Sequence, residues 1–270
     1  ELGYVSGNIP AEYDYSKLGE AWSTPTIMAM PVGSDRKWVA AFGAGFNSGT
    51  NPNYGSAVYV VDFEDQGKVL KRIDLTDASG DIANSAPATL TAITADTTST
   101  ATYKGAMMYV ADLESKTWKI NLTNTGTLYA ATQLFDGEGT TTNDRMTFFP
   151  ITPSIGVDGK LWLYSGTGNQ QKLQRMDASI KNRIFGVRDK DFPSFLSVSS
   201  STISKMKNVT KTGAICPADV DIGWYVDLDT NEKVTGKVAV HNEVVFVSRY
   251  TPNKSNLCNP GSNKLSEHGY

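Results

Sequence analysis

The sequence predicts an all-β fold: a modified β-propeller of four-stranded antiparallel blades, incomplete within these 270 residues. Three observations carry the prediction. Short apolar strands alternate with turns rich in Gly, Asn, Asp and Ser, the grammar of antiparallel meanders. That grammar recurs at intervals of roughly 45–60 residues, about four strands at a time, as in propeller blades. No amphipathic helical window interrupts it.

Residues 1–22 read as a lead-in or as the last strand of an upstream blade, and residues 23–270 as the partial propeller. The first unit places strands at Thr24–Val32, Lys37–Phe42, Ser56–Phe63 and Val69–Leu75. The second places them at Pro87–Thr94, Gly105–Leu113, Thr117–Leu122 and Leu128–Phe135. The third opens at Phe148, turns at Val157-Asp158-Gly159-Lys160, and continues through Leu161–Ser165 and Arg183–Val187. After a Ser/Thr-rich segment, Phe195–Thr212, a fourth begins at Gly223–Leu228 and runs on through Lys233–Val240 and Glu243–Tyr250. Blades bury their faces on one another and a ring takes ~4–8 of them, so three to four read as part of a larger propeller. A sandwich of about 14 strands is the alternative, because its turns are equally rich in Gly and Asn.

The totals narrow the function classes. A net charge of −3 gives no basic surface for nucleic acid, and the loose cluster Lys205, Lys207 and Lys211 reads as a solvated loop. No apolar run is long enough to span a membrane. The first residue is Glu1 rather than Met, which reads as a processed product or a piece of a longer chain. Cys216 and Cys258 either close a disulfide worth roughly 3–4 kcal/mol in the loop-entropy account or remain thiols, depending on compartment. The two histidines, His241 and His268, are not spaced as metal ligands.

The search for catalytic motifs returns little. Gly43-Ala44-Gly45 and Gly166-Thr167-Gly168 do not complete a dinucleotide fingerprint and read as tight turns or as close backbone approach between blades. There is no nucleophile elbow, zinc-protease helix or P-loop. The 28 Asp and Glu residues show no spacing that singles out a glycosidase pair. Asp227-Leu228-Asp229-Thr230-Asn231 begins like a calcium loop, yet Glu232 and Val238 stand where that loop needs Gly and Glu. Asp62, Glu64 and Asp65 form another weak acidic turn. Trp38, Trp118, Trp162 and Trp224 lie in predicted strands and read as fillers between blades, with carbohydrate stacking the alternative for any that faces solvent.

Several blocks, in order, resemble the PilY/PilC family of type IV pilus biogenesis factors. They are Thr24-Pro-Thr-Ile, the WVAAFGAGF block from Trp38, the YVADLESKTWKINL block from Tyr109, the LYSGTG block from Leu163, Ile184-Phe-Gly-Val-Arg-Asp, Gly223-Trp-Tyr-Val-Asp-Leu and Cys258-Asn-Pro-Gly. Each is a generic β phrase; their ordered combination over residues 23–262 is specific. The resemblance implies the C-terminal propeller domain of a large exported surface protein. It implies a non-enzymatic pilus-tip adhesin and assembly or retraction factor, with minor pilins, the pilus shaft and a host or abiotic surface as partners. Its place would be the cell surface or pilus tip, with the periplasm in transit, where a Cys216–Cys258 disulfide is feasible. The loops Phe46–Gly55, Asn169–Asn182 and Phe195–Thr212 are the expected contact regions. In the family an acidic calcium loop precedes the strand matching Gly105–Leu113. Here the connection 95–104 offers only Asp96, so calcium control is in doubt. A quinone-dependent propeller dehydrogenase and a periplasmic scaffold propeller are the rival readings.

Overall fold

The computed structural model describes residues 10–47, 54–75, 82, 84–94, 105–195, 200–211, 213–253, 255, 258 and 260–269. Their strands form four sheets. The first is a plain meander, β1 (Thr26–Val32), β2 (Asp35–Gly43), β3 (Ala57–Asp62) and β4 (Lys68–Asp74). The second holds β5 (Thr91–Ile93), β6 (Gly105–Ala111), β7 (Lys116–Thr123) and β8 (Ala131–Asp136). The third joins β9 (Thr152–Ile155), β10 (Leu161–Gly166) and β11 (Arg183–Asp189) to β14 (Gly223–Asp227).

Two short parallel strands come from the segment between β11 and β14. β12 (Ser201–Thr202) extends the second sheet along β8, and β13 (Lys207–Asn208) extends the third along β14. The Ser/Thr-rich segment therefore straps the outer edges of two sheets together. In the fourth sheet the long β17 (Val244–Pro252) carries β15 (Lys233–Val234) and β16 (Ala239–His241) on one edge and β18 (Gly261–Gly269) on the other.

The alternation of side chains about each strand decides the stacking. On β6, Ala106, Met108 and Val110 pack with Met30, Val39, Val58 and Val60 of the first sheet. Its other face, Met107, Tyr109 and Ala111, packs with Leu161, Leu163, Phe185 and Val187 of the third. On β10, Trp162 and Tyr164 point the opposite way and meet Val234, Val245 and Val247 of the fourth. The outer face of the first sheet is covered by the lead-in, whose Tyr15 and Leu18 pack beside Tyr59 and Ala40. Strands β3, β6 and β10 read as nearly continuous apolar runs, and every residue of these and of the more polar β7 is buried.

A side-chain ladder ties the inner strands together. Thr26, Thr91 and Thr152 each open the first strand of their sheet. Thr26 Oγ1 donates to Leu90 O at 3.0 Å, Thr91 Oγ1 to Ile151 O at 2.6 Å, and Thr152 Oγ1 to Val238 O at 2.5 Å. Each acceptor carbonyl belongs to the residue just before the next rung. The corresponding residue of the fourth sheet is Ala239, which has no hydroxyl to pass on. Thr91→Val keeps the shape and leaves the Ile151 carbonyl without this donor. The expected loss is about 1–2 kcal/mol, read as a lower urea midpoint with an unchanged slope.

Two expectations are corrected here. Gly223–Asp227 does not open a fourth blade: it pairs antiparallel with β11 and completes the third sheet, because the 190–222 excursion returns to that edge. β18 escapes the sequence reading. Its residues alternate with little apolar content, and it needs only one partner, the full length of β17.

Candidate functional site

We call upper the end at which β2, β6, β10 and β17 finish. There the Gly-x-Gly segments do bring neighbouring sheets into backbone contact. A Cβ on Gly43 would lie 2.2 Å from Ala86 O, and one on Gly168 would lie 2.8 Å from Lys233 Cβ.

Among the polar groups buried at this end and between the sheets are three clusters of charged side chains. In the first, on the β6–β7 turn, Asp112 and Glu114 are fully buried. Asp112 accepts from Trp118 Nε1 at 2.8 Å, Lys116 N at 3.0 Å and Asn84 Nδ2 at 3.1 Å. Glu114 Oε2 accepts from Asn84 Nδ2 at 2.5 Å and from the Lys116 ammonium. Burial pushes the Asp112 carboxyl up to about 7 against the pull of its Trp118 and Lys116 contacts.

In the second cluster, between the second and third sheets, Asp189 Oδ2 lies 2.7 Å from Lys119 Nζ and 2.6 Å from the Tyr109 hydroxyl. Lys119 also donates to Ser194 O at 2.8 Å. Burial, then the Asp189 charge, raises the Tyr109 phenol far above its ordinary range, so it holds its proton. In the third, Asp144 Oδ1 accepts from Asn169 at 2.8 Å and Arg175 at 3.2 Å, while Lys233 Nζ donates to Arg175 O at 2.9 Å. Burial lowers the Lys233 ammonium. The contacts of these carboxylates hold loops and sheets together.

None of this was visible as a motif. Its signal was charge within strands: Lys116 and Lys119 sit on β7, where burial on both faces obliges any charge to find a partner.

The residues singled out as ligands do not converge. Asp96 lies outside the described residues. Asp227 is engaged by Arg183 Nε at 2.7 Å and Asn208 Nδ2 at 3.0 Å, while Asp229 is exposed and takes part through its backbone in the turn to Glu232. Among the described residues no group of three or more His, Cys, Asp or Glu is placed to hold a metal ion, so the donor set at Asp227 and Asp229 does not fit calcium. Asp62 is taken by Lys37. Cys216 lies on the loop before β14 and Cys258 on the β17–β18 loop, and both are exposed. Trp118, Trp162 and Trp224 fill gaps between sheets as expected, whereas Trp38 is 38% exposed under Arg36.

Of the three loops expected to make contacts, Asn169–Asn182 is bound down. Gln170 reaches Val234 O at 2.8 Å, Ser179 reaches Thr142 O at 3.0 Å, and Asp177 N reaches Asn231 at 2.7 Å. Most of Phe46–Gly55 lies outside the described residues. The third leads into a loop that carries two of the most exposed large apolar side chains among the described residues. Beyond β13, Ile215 is 74% and Val220 83% exposed, and the β9–β10 turn adds Val157 at 79%.

Arg188 fixes these pieces relative to each other. Its guanidinium lies over the Trp162 ring and contacts Asp158 at 3.3 Å, Ala218 O at 2.8 Å and Asp221 O at 2.7 Å. Beside them an open groove of about 640 Å³ is lined by Lys207, Asn208, Lys211, Ala214, Ile215 and Asp227. Apolar side chains thus stand exposed on a loop held by Arg188, beside a groove that two lysines line.

No protein-family model matches the chain, and no curated protein matches it significantly. Among solved structures, it is similar to the crystal structure of the Pseudomonas aeruginosa PilY1 C-terminal domain. The TM-score is 0.66 and the identity 16%, over 94% of this chain and 59% of that one. That domain is a β-propeller, and this chain has the same fold over about three fifths of the solved domain's length.

Proposed function

We propose, from that shared fold, that the chain is part of a type IV pilus-associated surface factor that acts by binding rather than by catalysis. The observation that carries the reading is a common architecture across nearly the whole chain. The ordered sequence blocks that resemble PilY/PilC factors point the same way, and the dehydrogenase and scaffold readings gain no support from the comparisons. In this reading the partners are minor pilins and, through them, the pilus shaft. The protein crosses the periplasm to the cell surface or pilus tip, where it takes part in assembly, retraction or adhesion. The docking surface is the 213–222 loop with Val157, because it carries the most exposed large apolar side chains among the described residues and is held in place by Arg188.

The test is affinity capture of the intact native protein from cells, followed by mass spectrometry of its partners. Pilins are expected with the parent protein. Ile215→Asp together with Val220→Asp places charge on exposed side chains, so the fold and urea midpoint are expected to stay within about 0.5 kcal/mol, while pilin recovery falls at least tenfold. Capture without pilins, or with a bound quinone, would overturn the reading.

A further inference from the structure

We propose that Lys116 and Asn84 become joined by an intramolecular isopeptide bond, formed autocatalytically within the folded protein. The inference rests on how four buried side chains meet. Asn84, Asp112, Glu114 and Lys116 are each at most 4% exposed. Glu114 Oε2 touches both the Lys116 ammonium and the Asn84 amide nitrogen, the latter at 2.5 Å. The two nitrogens therefore flank one carboxylate oxygen. Asp112 Oδ2 holds the same amide nitrogen at 3.1 Å from another side. Backbone pairing fixes the two segments against each other, since Leu113 N donates to Ser85 O at 3.0 Å. Such placement converts a bimolecular reaction between amine and amide into an intramolecular one shielded from water.

The chemistry balances without a co-reactant. Glu114 accepts a proton from the Lys116 ammonium and leaves a neutral amine. Nζ attacks Asn84 Cγ, a second Nζ proton passes through the carboxylates to Nδ2, and the Cγ–Nδ2 bond breaks. The new Nζ–Cγ amide keeps one hydrogen. Ammonia departs, taking the first proton with it as ammonium, and Glu114 returns to its starting state. Nothing is oxidised or reduced. Asp112, whose carboxyl sits at about 7, is suited to pass the second proton.

The Lys119–Asp189 pair is a built-in contrast. It brings an amine and a carboxyl into contact at 2.7 Å, but its third member is the Tyr109 hydroxyl, which keeps its proton. Among the described residues no second carboxylate touches Lys119 to relay protons, so the pair should remain an ion pair.

The test is intact mass and tryptic mapping of the folded native protein. The expected intact mass is one ammonia, about 17 Da, below the sequence value. Digestion should release a branched peptide joining residues 73–104 to 105–119, uncleaved after Lys116. Glu114→Gln removes the relay and Lys116→Arg the nucleophile; each is expected to show its full mass. Linear peptides 73–104 and 105–116 from the folded parent protein would overturn the proposal. So would loss of ammonia with linear peptides, which marks a succinimide. A branched peptide that persists in folded Glu114→Gln would overturn the relay. If Glu114→Gln does not fold, Lys116→Arg alone decides, since a mass deficit there means the ammonia came from elsewhere.

Discussion

Asp189→Ala is expected to destabilise the protein by about 3–5 kcal/mol, among the largest effects of any single polar change. Lys119 and Asp189 are buried between the second and third sheets, and both point into a seam otherwise made of Tyr109, Phe185 and Leu163. Deleting the carboxylate leaves an ammonium in that seam with, among the described residues, the Ser194 carbonyl and the Phe195 ring beside it. It also strips the Tyr109 hydroxyl of its acceptor. The cost comes from the uncompensated charge, not from the worth of the intact pair, because desolvating two ions nearly cancels their attraction. The triple variant Lys119→Met, Tyr109→Phe, Asp189→Leu should therefore recover most of the loss. Urea denaturation of the parent, single and triple variants measures both numbers. A single variant within 1 kcal/mol of the parent would mean that water reaches the seam.

Gly43→Ala is the second large effect. The added Cβ would stand 2.2 Å from Ala86 O and 3.1 Å from Ala86 Cβ, backbone and short side chain that cannot swing away. The first and second sheets must separate there, weakening the Gly45 N to Ala86 O bond of 3.1 Å as well. Overpacking at such a contact costs about 1–3 kcal/mol or more. Gly33→Ala is the fitting control. It sits in the β1–β2 turn, at φ +62°, but nothing lies within 4 Å of its would-be Cβ, so only the backbone cost of about 1 kcal/mol remains. The account expects Gly43→Ala to lower the unfolding midpoint clearly more than Gly33→Ala. The reverse order would show that the sheets do not approach as closely as described.

Much of the fold was legible because apolar periodicity and turn chemistry point to the same strands. β2, β3, β6, β7 and β10 fall within a few residues of expectation. What failed was strand partnership. Trp224–Val226 reads as a strand in any context, and only the return of the 190–222 excursion assigns it to β11. β18 was missed because an edge strand with Ser262, Lys264 and Ser266 shows no apolar face. The candidate site was less legible. Lys116 and Lys119 lie three apart on β7, so a period of two puts them on opposite faces and marks no common site, and their partners Asn84, Glu114 and Asp189 come from elsewhere in the chain or across a turn. Exposure of Ile215 and Val220 has no sequence signature, since an isolated apolar residue in a loop is as often buried as not.

Hydrogen exchange of the intact protein, alone and with purified minor pilins, tests the central claim most directly. The account predicts slower exchange on adding pilins across residues 213–222 and at the 156–160 turn, with the upper-end loops unchanged. Exchange that stays the same everywhere, or slows only at the upper end while 213–222 is untouched, would contradict it.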